Sequence, residues 1–153
     1  MTVMKVEIDD RNVQLRFSTM SKRVHDELLA TIDKDRRILA EYVQSQKLSG
    51  QVLNVRSGRL RDSIESSVED QGTRITGSAF ASSDVPYARI HEYGGDIYPK
   101  IDKALRFVID GKVIFAQHVR MPERSYLRSA LRDMKARLIE DMKAAVRRGT
   151  GAP

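Results

Sequence analysis

Leu105-Arg106-Phe107-Val108-Ile109-Asp110-Gly111-Lys112-Val113-Ile114-Phe115-Ala116 is the stretch from which the fold can be read. Two apolar-rich runs flank Asp110-Gly111, a dipeptide suited to a two-residue turn whose central residues take positive φ. The stretch reads as an antiparallel hairpin with Ile109 opposite Lys112. Leu105, Phe107, Ile109, Ile114 and Ala116 then share one face, and Val108, Val113 and Phe115 share the other with Arg106. A hairpin with one solvated face alternates apolar and polar residues. This one does not, so the face carrying Val108, Val113 and Phe115 is expected to be covered, by a neighbouring subunit or by one of the chain's own helices.

Upstream, Ser66 to Glu69 and Arg74 to Ala81 flank Asp70-Gln71-Gly72-Thr73, a second hairpin turning at Gly72. A third is expected near the N-terminus, where Val6, Ile8 and then Val13, Leu15, Phe17 alternate with polar residues around Asp9-Asp10-Arg11-Asn12. Val24, Leu28, Ile32, Leu39 and Val43 recur at helical spacing, which predicts a long amphipathic helix from a cap at Ser21 to about Lys47. Ser49-Gly50 stops it. Gln51 to Val55 has no apolar periodicity to anchor it and reads as a mobile loop. Ser57 to Ile64 reads as a capped turn or short helix, with Ser57 as the cap and Leu60 and Ile64 on one face.

Downstream, Leu127, Leu131, Met134, Leu138, Met142 and Ala145 mark a C-terminal helix. Pro122 bars Met121 from helical geometry and sets the angle at which that helix leaves the strands. The fold class expected is α+β: an antiparallel or mixed sheet built from hairpins, packed with one long helix in the N-terminal half and one C-terminal helix. Residues 1–146 are expected to form a single domain, and 147–153 a flexible basic tail too poor in apolar residues to order itself.

A chain of 153 residues can bury a core without staples. It has no cysteine, which excludes disulfides and thiolate metal sites and suits a reducing cytoplasm. No signal-like apolar core and no run of roughly 18 apolar residues is present, so no membrane partner is expected. The net charge of +6 is uneven. Between Arg124 and Arg148 eight basic residues face three acidic ones. Arg147 and Arg148 there, and Arg56, Arg59 and Arg61 upstream, are candidates for contact with DNA phosphates or an acidic partner. Aromatic residues are not interleaved with them and no zinc-finger or RNA-recognition signature is present, so such contact would not read sequence.

His91-Glu92, with Tyr87 and Tyr93 nearby, has the residue types of an acid/base pair. Adjacent side chains point apart in a helix or a strand, however, and no nucleophile is tied to His91 by spacing. No enzyme is expected. His91 and Glu92 are expected to hydrogen-bond neighbouring backbone or to lie at a subunit contact. His25, His91 and His118 are scattered without metal-ligand spacing, and Gly94-Gly95 lacks the context of a phosphate-binding loop, so neither metal nor cofactor is expected. Gly58, Gly94, Gly95 and Pro122 are read as turn residues, with Gly94-Gly95 releasing the chain into a loop.

Three phrases occur in order: Arg56-Ser57-Gly58-Arg59-Leu60-Arg61-Asp62-Ser63-Ile64, Tyr87-Ala88-Arg89-Ile90-His91-Glu92-Tyr93-Gly94-Gly95, and Met121-Pro122-Glu123-Arg124-Ser125-Tyr126-Leu127-Arg128-Ser129-Ala130-Leu131. Together with Tyr98-Pro99-Lys100 and Ala104-Leu105-Arg106-Phe107, this set resembles a family of small neck proteins of long-tailed bacteriophages, the tail-completion or head-tail joining proteins. The resemblance runs from about Arg56 to about Leu138. Many relatives have Pro-Ala-Arg where this chain has Pro122-Glu123-Arg124, a mild departure. The resemblance implies a structural virion protein acting in tail completion and head-tail joining as a ring component of the neck. A tail terminator or head-closure ring of the same neck is the alternative. It further implies a homo-oligomeric ring, a hexamer or else a dodecamer, contacts with adjacent neck and tail-tube proteins, non-specific contact with DNA in the channel, and a location in the virion neck or tail, reached from the host cytoplasm. A closed ring needs two unlike patches. Val108, Val113 and Phe115 are the candidates for one, and Tyr87, His91, Glu92 and Tyr93 for part of the other. A non-specific DNA-binding protein is the rival of a different class; it leaves the ordered phrases unexplained.

Overall fold

Val24, Leu28, Thr31, Asp35 and Leu39 fall on one face at helical spacing, and that face is buried along α1 (Lys22–Tyr42). The helix runs on into a π-helical turn over Val43–Lys47, where the Leu48 N–H donates to the Val43 carbonyl at 3.0 Å, five residues back. The computed structural model describes residues 5–7, 22–55, 57–101 and 103–151. The return strand expected at Val13 to Phe17, the Ser21 cap and Arg56 lie outside these residues.

After the π turn come α2 (Arg59–Asp62), β2 (Ile64–Asp70), β3 (Ile75–Ala81), α3 (Ala88–Tyr93), β4 (Gly95–Ile97), β5 (Leu105–Ile109), β6 (Lys112–Ala116), β7 (Val119–Met121) and α4 (Leu127–Thr150). An N-terminal strand, β1 (Lys5–Glu7), precedes α1. The class is α+β, but the described strands form three small antiparallel sheets in place of one: β1-β3-β2, β4-β7 and β5-β6. β2 and β3 pair from Ile64 opposite Ala81 to Asp70 opposite Ile75, and α1 packs on this sheet and on α4. Leu39, Val43, Ile64, Ala79, Tyr126, Leu127, Ala130, Met134 and Leu138 make the main core. Each large apolar side chain there contributes roughly 1.5–3 kcal/mol.

Four local expectations are corrected. Gln51 to Val55 is not an unanchored loop: Leu53 is buried in the core, and the Val52 and Leu53 N–H groups return to the Lys47 carbonyl at 3.3 and 3.4 Å. Ile64 does not extend the short helix with Leu60 but opens β2. Gly95 does not release the chain into a loop but begins β4, opposite Met121. The flexible tail expected from Arg147 is helical through Thr150, because it has something to pack on. Gly149 is buried against α1, where a Cβ would come 2.5 Å from the Val24 Cα, and Arg148 donates to Glu27 at 2.8 Å and to Thr31 at 3.1 Å.

Between α1 and α4, Asp35 Oδ1 and Asp141 Oδ2 are buried and accept no hydrogen bond from the described residues, although Arg137 Nε forms an ion pair with Asp141 Oδ2 at 3.5 Å. The two side chains meet, and two carboxylates can share a hydrogen bond only if one holds a proton. Burial, with the Asp141 charge adding to it, pushes the Asp35 pKa up to about 6, against the opposing pull of Lys34 and Arg137.

Two outcomes are expected. Unfolded Asp35 loses its proton near pH 3.8 and folded Asp35 holds it to about 6, so in that window the native state binds more protons and its stability falls as pH rises. Asp133 and Glu140, whose carboxyls are held below their usual range by hydrogen bonds from Lys47 and Lys143, act with opposite sign, losing their contribution only on acidification. Urea midpoints of the native protein and of Asp35→Asn from pH 4 to 6.5 should differ in slope, the variant lacking the decline; parallel curves would contradict the shared proton. Gly149→Val should lower stability by about 1–3 kcal/mol through the clash with Val24, whereas an unchanged midpoint would return the segment to a loose tail.

Candidate functional site

α3 is short, and its last turn places one carboxylate where α4 begins. Glu92 is fully buried. Its Oε2 accepts the N–H groups of Tyr126 and Leu127 at 2.7 and 2.8 Å, and its Oε1 accepts that of Arg128 at 3.0 Å together with the Ser125 hydroxyl at 2.8 Å and Arg128 Nε at 3.0 Å. The first N–H groups of a helix have no partner within it, and the helix dipole favours negative charge there. A single side chain from α3 therefore satisfies the start of a helix more than thirty residues later. Tyr126 lies buried in the same junction with its hydroxyl toward the Ala88 carbonyl at 3.3 Å. Burial, with Glu92 adjacent, pushes its phenol well above the ordinary range.

Arg128 ties the outer side. It donates to the Glu92 carbonyl at 3.0 Å and to Glu123 at 2.8 Å, and its guanidinium lies 4.4 Å from the Tyr93 ring centre. Gly94 closes the arrangement with φ 67° and ψ −171°, a region open essentially to glycine, and a Cβ there would sit 2.7 Å from the Glu123 nitrogen and 2.9 Å from the Met121 carbonyl oxygen. The β4-β7 pair follows at once, joining Gly95 to Met121.

Next to this junction lies a groove of about 510 Å³. One wall comes from the segment after the π turn and from α2, with Leu48, Leu53, Val55, Arg59, Leu60 and Arg61; the other carries Tyr87, His91, Met121 and Arg124. All three phrases singled out in the sequence line it. His91 packs edge-on against Tyr87 with ring centres 5.7 Å apart, and its Nδ1 is buried without a partner. Burial, and secondarily the Arg124 charge, lower its pKa, so the imidazole is neutral at neutral pH.

The candidate residues separate accordingly. Glu92 is not at an exposed subunit contact: both of its oxygens are occupied in the cap, the neighbouring-backbone role also read for it, and it presents no acid/base couple to solvent with His91. Tyr87, at the groove, and Tyr93, under Arg128, remain part-exposed. Val108, Val113 and Phe115 stand on the β5-β6 hairpin at 59, 47 and 66% exposure, so no helix of the described chain covers them. Gly58 leads into α2 with φ 74°, and the Arg59 N–H reaches the Ser57 hydroxyl at 3.4 Å. Pro122 follows β7, whose last residue is the extended Met121. Arg59 and Arg61 border the groove, while Arg147 and Arg148 sit near the far end of α4, roughly 30 Å along the helix. The two arginine sets do not form one surface. Ser125 and Arg128, the partners of Glu92, were not legible as such in the sequence. Among the described residues no three His, Cys, Asp or Glu side chains converge as metal ligands do, and no helix is long and apolar enough to cross a membrane.

The model of the phage virion morphogenesis family matches residues 20–146. The chain belongs to the phage virion morphogenesis family. No curated protein and no solved structure matches it. The match gives this virion morphogenesis protein a structural or assembly role in a phage particle, and it covers the whole junction and groove.

Removing one charge from the cap of this morphogenesis protein should be costly. Glu92→Gln places an amide donor against helix N–H groups and should lower stability by about 2–4 kcal/mol, whereas His91→Gln should stay within about 1 kcal/mol. Chemical denaturation of both variants checks this, and equal midpoints would remove the cap from its central place.

Proposed function

We propose that this protein acts in tail completion and head-tail joining as a ring component of the virion neck, working through complementary surfaces and not through bond making. The observation that carries the reading is the β5-β6 hairpin. Val108, Ile109, Val113, Ile114 and Phe115 are all more than a third exposed on it, and among the described residues its two strands pair only with each other. A contiguous apolar arm of this kind marks a protein contact, and burying it would supply roughly 1.5–3 kcal/mol for each large side chain. An adjacent subunit is the cover that fits a ring, since a head-to-tail contact between unlike patches closes into one. The overlap of the family match with the phrases that resemble tail-completion proteins supports the neck as the place. The same arm would serve a tail terminator or a head-closure ring.

Phe115→Asp is the test. At 66% exposure the change should leave the isolated protein folded, with stability within about 0.5 kcal/mol of native by denaturation and circular dichroism. Complementation of a phage lacking the gene should then yield unjoined heads and tails. A folded variant that restores normal particle yield would remove the hairpin from assembly.

A further inference from the structure

The groove beside the α3 to α4 junction has a chemistry unlike the hairpin's. Its floor is apolar, with Leu48, Leu53, Leu60 and Met121, and its rim is cationic, with Arg59, Arg61 and Arg124. Among the described residues no Asp or Glu lines it. Arg59 gives one donor to the Asp84 carbonyl at 2.9 Å, and Arg61 pairs with the exposed Asp62 at 3.0 Å. The Arg124 side chain makes no ion pair with any described residue, although its backbone N–H is fixed by the His91 carbonyl at 2.9 Å. It is a held but unused cation. At about 510 Å³ the cavity falls within the range of about 300–1,000 Å³ typical of ligand-binding clefts, room for a few side chains and not for a folded surface.

We propose that this groove receives a short acidic-aliphatic peptide segment from a neighbouring virion protein, its aliphatic side chains on the Leu48, Leu53, Leu60 and Met121 floor and its carboxylates on Arg59, Arg61 and Arg124. Charge decides against two other occupants. The β5-β6 hairpin of a second copy carries Arg106 and Lys112 against Asp110 alone, so it would bring net positive charge to a cationic rim. A nucleic-acid backbone would satisfy the rim but leave the apolar floor in water. Guanidinium groups suit carboxylates because their planar fork donates to both oxygens at once.

The proposal rests on the assembly reading for the identity of the partner, and its test does not depend on that reading. A display library of random linear peptides is selected on the purified native protein, and the enriched peptides are measured by fluorescence anisotropy against native protein, Arg124→Glu and Val55→Asp. Both positions are exposed at the groove, and thermal melts confirm that the variants fold. Selected sequences should combine Asp or Glu with Leu, Ile, Val or Phe, and each substitution should weaken their binding at least about tenfold, equivalent to about 1.4 kcal/mol. Enrichment without acidic residues, no enrichment at all, or affinity unchanged by Arg124→Glu would overturn the proposal. So would a duplex DNA probe that displaces the peptide and itself loses affinity in Arg124→Glu, since the groove would then be a phosphate site. If peptides fail here while Phe115→Asp still abolishes joined particles, the groove proposal falls and the assembly role stands.

Discussion

One buried carboxylate organises the C-terminal half of this protein. Glu92 brings negative charge to the first turn of α4 and holds three backbone N–H groups, a serine hydroxyl and an arginine. Without it the start of a 24-residue helix would be buried with unsatisfied donors, a state that costs more than any single apolar contact in the core returns. With it, the direction of α4 is fixed relative to α3. The far end of the helix then reaches α1 closely enough that only glycine fits at position 149. Helix α1, the β2-β3 sheet and α4 thus share one core whose geometry is set at a single junction.

That rigidity separates two surfaces of different character. The groove is assembled from elements tied to the junction: Arg124 is held by the His91 carbonyl, Met121 by pairing with Gly95, and the opposite wall by the buried Leu53. The β5-β6 hairpin has no such anchorage, and its apolar residues meet water on both faces. A rigid cleft with a cationic rim and a projecting apolar arm are the unlike surfaces on which the proposed ring role would draw.

Local signals made the hairpins legible. Asp110-Gly111 dictates a two-residue turn, and the turn dictates that Val108 meets Val113 and Arg106 meets Phe115, as observed. The helical stripes were equally clear, but the position between Ile32 and Leu39 that Asp35 fills on the buried face of α1 was not read as a buried titratable group. The cap was not legible, because its donors lie more than thirty residues from Glu92 and no local pattern links them. Leu53 escaped notice since one leucine has no period, and Arg147 to Thr150 read as a tail because a glycine that permits close packing looks in sequence like one that ends a helix. The three phrases were legible as a set that carries the family resemblance, but only the fold shows that they meet at one groove.

The central claim is that the hairpin from Leu105 to Ala116 is bare in the isolated subunit and covered in the particle. Hydrogen–deuterium exchange of this segment, compared between purified protein and intact virions, addresses it directly. The account predicts fast exchange in the free protein, strong protection in the virion, and slow exchange at the start of α4 in both. Equal exchange of the hairpin in the two states would contradict it.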